Sequence, residues 1–115
     1  MAQANDSQML KGVLQGCLLM LLHTEPSYGY AITQQLAAHG FAAVPKGTVY
    51  PLLMTMAKKG LLESFMQASP DGPERKYYRL TAAGEAERTA FGLSWRALQQ
   101  NVDEIIEKVA TQDGN

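Results

Sequence analysis

One cysteine, one tryptophan, no long apolar run and no surplus of either charge set the first limits on this 115-residue chain. Cys17 has no second cysteine to join, so an intramolecular disulfide is impossible and a cysteine-based zinc site lacks ligands; a reducing, cytoplasmic setting is the expectation. The longest uninterrupted apolar stretch, Cys17 to Leu22, is far too short for a hydrocarbon layer of about 30 Å, and the opening MAQANDSQ is polar. No membrane span or signal peptide is therefore expected. Ten Lys/Arg against eleven Asp/Glu give a formal net charge of -1, which taken alone argues against a nucleic-acid partner. His23 and His39 fall in different helical contexts with no clustered carboxylate or cysteine, so no metal site is expected. No nucleophile, base and orienting group come together, and Lys58-Lys59-Gly60 is a helix end rather than a phosphate loop; neither catalysis nor a cofactor is expected.

What is present is a 46% hydrophobic content, enough for one core, and an uneven charge distribution. Residues 46–80 carry six Lys/Arg against three acids, net +3, and residues 81–115 carry three against six, net -3. A basic middle followed by an acidic tail suits a protein with one face for phosphates and another for something else, although solvated surface charge produces similar splits.

Leu10, Val13, Leu14, Cys17, Leu18, Leu21 and Leu22 recur at steps of three and four, which predicts an amphipathic helix from Met9 to Leu22. Leu19 and Met20 make its last turns apolar nearly all round, so it needs cover on more than one side. Glu25-Pro26-Ser27 breaks the pattern, with Ser27 offering an N-cap to a second helix from about Tyr28 to His39, inner residues Ile32 and Leu36, stopped by Gly40. After a loop over Phe41 to Lys46, a third helix is expected to start near Thr48 or Val49, which leaves Pro51 in the first turn where its missing N–H costs little. Val49, Leu52, Leu53 and Met56 then face the core, Thr48, Tyr50, Thr55 and Lys58 face out, and Gly60 ends it. Two short β-type runs around the turn formers 68–74 read as a hairpin, in which one ring of Tyr77-Tyr78 enters the core and the other points outward. Thr81 caps a last helix to about Ala110, along which Phe91, Trp95, Leu98, Val102, Ile105 and Val109 step 4, 3, 4, 3, 4, a heptad seam.

The fold class expected is mainly α with a small β-hairpin: a winged helix-turn-helix over 9–81 and a C-terminal dimerisation helix over 82–111. In such an order the third helix enters the major groove and the hairpin touches flanking backbone. Lys46, Thr48 and Tyr50 stand at the start of that helix, where amides and dipole favour phosphate, and Arg75 and Lys76 stand on the wing.

The set Tyr28-Gly29-Tyr30, Lys46-Gly47-Thr48-Val49-Tyr50-Pro51-Leu52-Leu53, Lys58-Lys59-Gly60-Leu61 and Arg75 to Gly84 resembles the PadR-type regulators, in matching order from about Leu10 to Val109. The single final helix with Trp95 is similar to the compact members of that family. The resemblance implies a repressor of double-stranded DNA, acting as a homodimer joined mainly by the last helix with help from the partner's first. Tyr28, Lys46, Thr48, Tyr50, Arg75 and Lys76 are implied as DNA contacts. Leu10, Val13, Leu14, Phe91, Trp95, Leu98, Val102, Ile105 and Val109 are implied at the dimer interface. Met54, Thr55, Met56 and Ala57 stand where members commonly carry a basic residue and a Leu-Glu pair, which points to fewer groove contacts and a different target. Two readings stand for Trp95, with Phe91 following it: lining a pore between subunits that stacks a small planar aromatic effector, or plain dimer packing. A winged-helix protein-interaction dimer without DNA binding, and a small-molecule carrier using only the pore, are the alternative functions.

Overall fold

The computed structural model describes residues 2–41 and 44–113. In chain order the elements are α1 (Ala2–Thr24), β1 (Ser27–Tyr28), α2 (Gly29–Ala38), α3 (Lys46–Lys58), β2 (Leu62–Ala68), β3 (Glu74–Leu80) and α4 (Ala82–Gln112). Three helices, a hairpin and a long last helix are the expected order. Of the loop expected over 41–46, residues 42 and 43 lie outside the described residues and Lys46 is already helical.

The core forms where α1, α2, α3 and the hairpin meet. Leu14, Leu18, Leu19 and Leu22 of α1 join Ile32 and Leu36 of α2, Val49, Leu53 and Met56 of α3, Leu62 of β2 and Tyr78 of β3 in one buried cluster. The breadth of the apolar surface on α1 is explained by what covers it: α2 and β3 on the core side, α4 on the other. At Gly16 helix α1 lies close against α4, since a Cβ there would run into the ring of Phe91.

Helices α2 and α3 end alike. The Gly40 N–H donates to the Ala37 carbonyl and the Phe41 N–H to Leu36; the Gly60 N–H donates to Ala57 and the Leu61 N–H to Met56. Both are Schellman endings, and both turn on a glycine at positive φ, +97° at Gly40 and +80° at Gly60, where a Cβ is strained. The apolar residue after each glycine, Phe41 or Leu61, packs back on the core.

Four expectations are corrected. Ser27 is not an N-cap: Tyr28 holds that position without a side-chain cap, and Ser27 pairs with Tyr78 in β1, so the hairpin is part of a three-stranded antiparallel sheet of order β1-β3-β2. The extended 27–28 segment satisfies an edge of β3 that a bare hairpin would leave open. Helix α3 starts at Lys46, because the Pro45 carbonyl already accepts from Thr48 and Val49 N–H at 3.0 and 3.3 Å. Pro51 is thus inside the helix, and the Gly47 carbonyl one turn back loses its helical donor. Both tyrosines of the pair are buried, Tyr77 at 8% and Tyr78 at 6% exposure. Tyr78 enters the core; Tyr77 is roofed on the other face by Tyr28 and Phe65, at ring centroid distances of 5.0 and 5.7 Å. Finally, Leu14 is 2% exposed within its own chain, so it has almost no surface left to offer a partner.

Thr81 joins three elements. Its hydroxyl donates to the Gly60 carbonyl and accepts from the Gly84 N–H, the expected cap of α4, while its own N–H donates to the Leu61 carbonyl. Gly84 is buried there, and a Cβ on it would run into the Leu61 carbonyl. Further along, the Arg88 guanidinium and the His23 ring hold Glu85 between α4 and α1, at 2.9 and 3.0 Å. His23 therefore does meet a carboxylate, brought to it from 62 residues away.

Thr81→Ala is expected to lower stability by about 1–2 kcal/mol, read as a lower urea midpoint at unchanged slope; an unchanged midpoint removes the clasp from the account. The bonds from Arg88 and then His23 hold the Glu85 carboxyl below its ordinary range. Its stabilising effect is present above the unfolded value of about 4.3 and is lost as pH falls through the lower folded one. Glu85→Gln should therefore flatten the stability profile in that acid window, read from urea midpoints measured across it.

Candidate nucleic-acid interface

Helix α3 buries Val49, Leu53 and Met56 and half-buries Leu52 and Ala57, so helical geometry turns Thr48, Tyr50, Pro51, Met54, Thr55 and Lys58 outward. This matches the outward set expected from the sequence. Lys46, in the first turn, places its Nζ 5.4 Å from the centre of the Tyr30 ring, a cation–π contact to the exposed start of α2. Among the described residues no side chain caps the N-terminus of α3.

The wing supplies the second group of cations. In the β2–β3 ladder Phe65 pairs with Tyr77, Met66 with Lys76 and Gln67 with Arg75. Period-two alternation puts Arg75, Tyr77 and Arg79 on one face and Lys76 and Tyr78 on the other. On the first face the Arg75 guanidinium lies 4.9 Å from the Tyr28 ring and that of Arg79 4.5 Å from the Phe65 ring. The Arg79 Nε donates to Glu63 at 2.6 Å. Arg75 has only a loose contact of 3.5 Å with the exposed Asp71 at the turn, and its Nε is buried without a hydrogen-bond partner among the described residues. On the other face the Lys76 ammonium lies 5.8 Å from the Tyr78 ring, at the margin of the core.

These groups converge. An open cleft of about 370 Å³ between the wing and the α2–α3 pair is lined by Tyr28, Gly29, Tyr30, Tyr50, Leu53, Met54, Arg75, Lys76 and Tyr78. Of the residues expected to contact DNA, Tyr28, Tyr50, Arg75 and Lys76 line it together; Lys46 stands beside it through Tyr30, and Thr48 lies on the outer side of α3. The lining has two cations and no acid, and four phenol rings supply hydroxyls on rigid stems. Such a surface suits an extended polyanion better than a small enclosed ligand.

Sequence reasoning passed over Gly29, Tyr30 and Met54 as site residues. Gly29 makes room for the Tyr50 ring, which a Cβ there would strike. The only signal was its place between two tyrosines in a family motif, and the contact that explains it comes from another helix. Met54 is set apart in the sequence only as a departure from the family pattern; its exposure on the outward side of α3 comes from the fold.

The remaining candidates lie on α4. Its first half packs on α1, with Phe91 against Gly16 and the Met20 methyl close to Gly92. Phe91 is thus half-buried within its own chain. Beyond it, Trp95, Leu98, Val102, Ile105 and Val109 are exposed, Trp95 at 41% and Ile105 at 65%, and Ile106 widens the strip. Arg96, Gln99, Gln100, Asp103, Glu104 and Glu107 share another side of the helix. Leu10 and Val13 of α1 are half-buried. Among the described residues no group of His, Cys, Asp and Glu could hold a metal ion, and no helix is long and apolar enough to cross a membrane. Burial pushes the Cys17 thiol up, which leaves it less reactive than a free cysteine.

Comparison with known proteins agrees with this arrangement. Residues 18–90 match the model of the transcriptional regulator PadR-like family. A transcriptional regulator of Mycobacterium tuberculosis is 38% identical over 88 residues, covering 76% of this chain and 78% of that protein. A PadR-like transcriptional regulator of Bacillus cereus superposes with a TM-score of 0.80 at 42% identity, covering 86% of this chain and 96% of that one. A PadR family regulator of Eggerthella lenta gives 0.81 at 31% identity, covering 92% of each chain.

Gly29→Ala tests the packing of the cleft. The far-UV circular dichroism should stay as it is while the Tyr50 ring resonances shift, since the ring must leave its place; unmoved resonances would mean that Gly29 does not set the position of Tyr50.

Proposed function

The chain belongs to the PadR-like family of transcriptional regulators, and from that premise we propose that it is a DNA-binding repressor acting as a homodimer. The observation that carries this reading is the cleft in which Arg75 and Lys76 of the wing meet the outward face of α3. Helix α3 fits the major groove, and the wing cations reach the flanking phosphates. The Arg75 guanidinium is held only loosely by Asp71, at 3.5 Å, which leaves its charge available to a phosphate. This concentration of charge also weighs against a winged-helix module that binds only protein.

The dimer is argued from α4. A helix of 31 residues is about 46 Å long. Only its first half is packed, so the radius of gyration is 16.9 Å where a compact domain of this size has about 13 Å. An apolar heptad strip left in water on such a helix calls for a second copy. Two subunits joined there present two α3 helices to half-sites about 34 Å apart. Trp95, in the strip, gives a planar aromatic effector a face to stack on where the subunits meet, and a tilt of one subunit on the other changes the half-site spacing.

Binding to the region upstream of the chain's own gene should weaken steeply with salt, and Lys46→Ala and Lys76→Ala should each reduce the slope of log K on log[salt] by about 1. Salt-independent binding, or slopes unchanged in both variants, would sink the reading. Ile105→Lys should convert the dimer to monomer in sedimentation and abolish tight binding while the winged domain stays folded; a dimer that persists refutes the α4 interface.

A further inference from the structure

Phosphate contacts fix orientation but carry no sequence information, so a regulator of this design must read its target with the outward face of α3 or through the shape of the duplex. That face is unusual in what it offers. Lys46 and Lys58 stand at its two ends, and between them the exposed side chains are Thr48, Tyr50, Pro51, Met54 and Thr55. None is Arg, Asn or Gln, and the two lysines, which can bond a guanine edge as Arg does, stand only at the ends of the helix and not in the middle of the face. The hydroxyls make single hydrogen bonds at most, and the largest purely apolar side chain is Met54, 55% exposed, one turn beyond Tyr50.

Resting on the DNA-binding reading above, we propose that the chain recognises its operator chiefly through thymine 5-methyl groups, covered by apolar contact from α3 with Met54 at the centre. The major-groove edge of a T·A pair is the one that carries a methyl group, and a flexible, polarisable thioether fits it without demanding one hydrogen-bond geometry. The flanking charges fit the same partner. Lys76 lines the cleft beside Met54, so a backbone seated on the wing brings base edges to this strip.

Uracil pairs as thymine does and lacks only the 5-methyl, which gives a direct test. The region upstream of the chain's own gene is amplified with dTTP or with dUTP, and the full-length dimer is titrated with each at fixed salt. Each covered methyl is worth about fourfold in affinity, so two half-sites predict a loss on the order of tenfold or more for the dU duplex. Met54→Ala should bind both duplexes alike, and Met54→Leu should restore the preference for thymine. Equal binding of the two duplexes by the unchanged protein overturns the inference while leaving the repressor reading intact. A full preference surviving in Met54→Ala overturns it too, since the effect then comes from duplex stiffness. Failure to bind the thymine duplex at any salt overturns the proposed function and this inference with it.

Discussion

The structure depends on β3 being occupied on all four sides. Its backbone is paired with β1 along one edge and β2 along the other, Tyr78 is sunk in the core, and Tyr77 lies under Tyr28 and Phe65. A strand so enclosed has no freedom to slip, because a shift of one residue would exchange the two tyrosines and the two wing cations between faces. Arg75 and Lys76 are therefore held beside α3 by the same packing that closes the hydrophobic core. A hairpin on its own is marginally stable in water; here the two residues of β1 and the aromatic roof make it part of the domain.

The end of β3 passes this rigidity on. Thr81 bonds the glycine turn that ends α3, the residue just before β2 and the first turn of α4. The direction of α4 is thus tied to the end of α3 through a few hydrogen bonds at Thr81. In a dimer joined through α4, the separation of the two α3 helices follows directly from the crossing of the two α4 helices. Under the proposed dimer, that geometry carries an event at the α4 seam to the proposed DNA face by rigid-body motion alone.

Two kinds of exposed apolar surface remain on the chain, and they differ in setting. The strip on α4 is long, follows a heptad and has Arg96, Glu104 and Glu107 on the side of the helix away from it, as a helix-to-helix seam requires. The apolar groups on α3 are few, mixed with hydroxyls and framed by lysines. The first surface is the one proposed to meet another copy of the same helix, the second the one proposed to cover thymine methyl groups.

Much of this was legible in the chain itself. The steps of three and four in α1 and α3, the two glycine stops, the Thr81 cap and the heptad on α4 are local patterns, and local patterns survive because helix periodicity and capping depend on near neighbours. The cations of the site were equally visible, since Lys46 and the Arg75-Lys76 pair stand next to recognisable elements. Residues that meet only through the fold were not readable in this way. The pairing of Ser27 with Tyr78, the roof over Tyr77, the space Gly29 leaves for Tyr50 and the bond from His23 to Glu85 each join distant segments. Even the start of α3 shifted, because Pro45 accepts the first amides before Pro51 can set the boundary. Periodicity tells a residue which way to face within its element; what it faces is decided only when another element arrives.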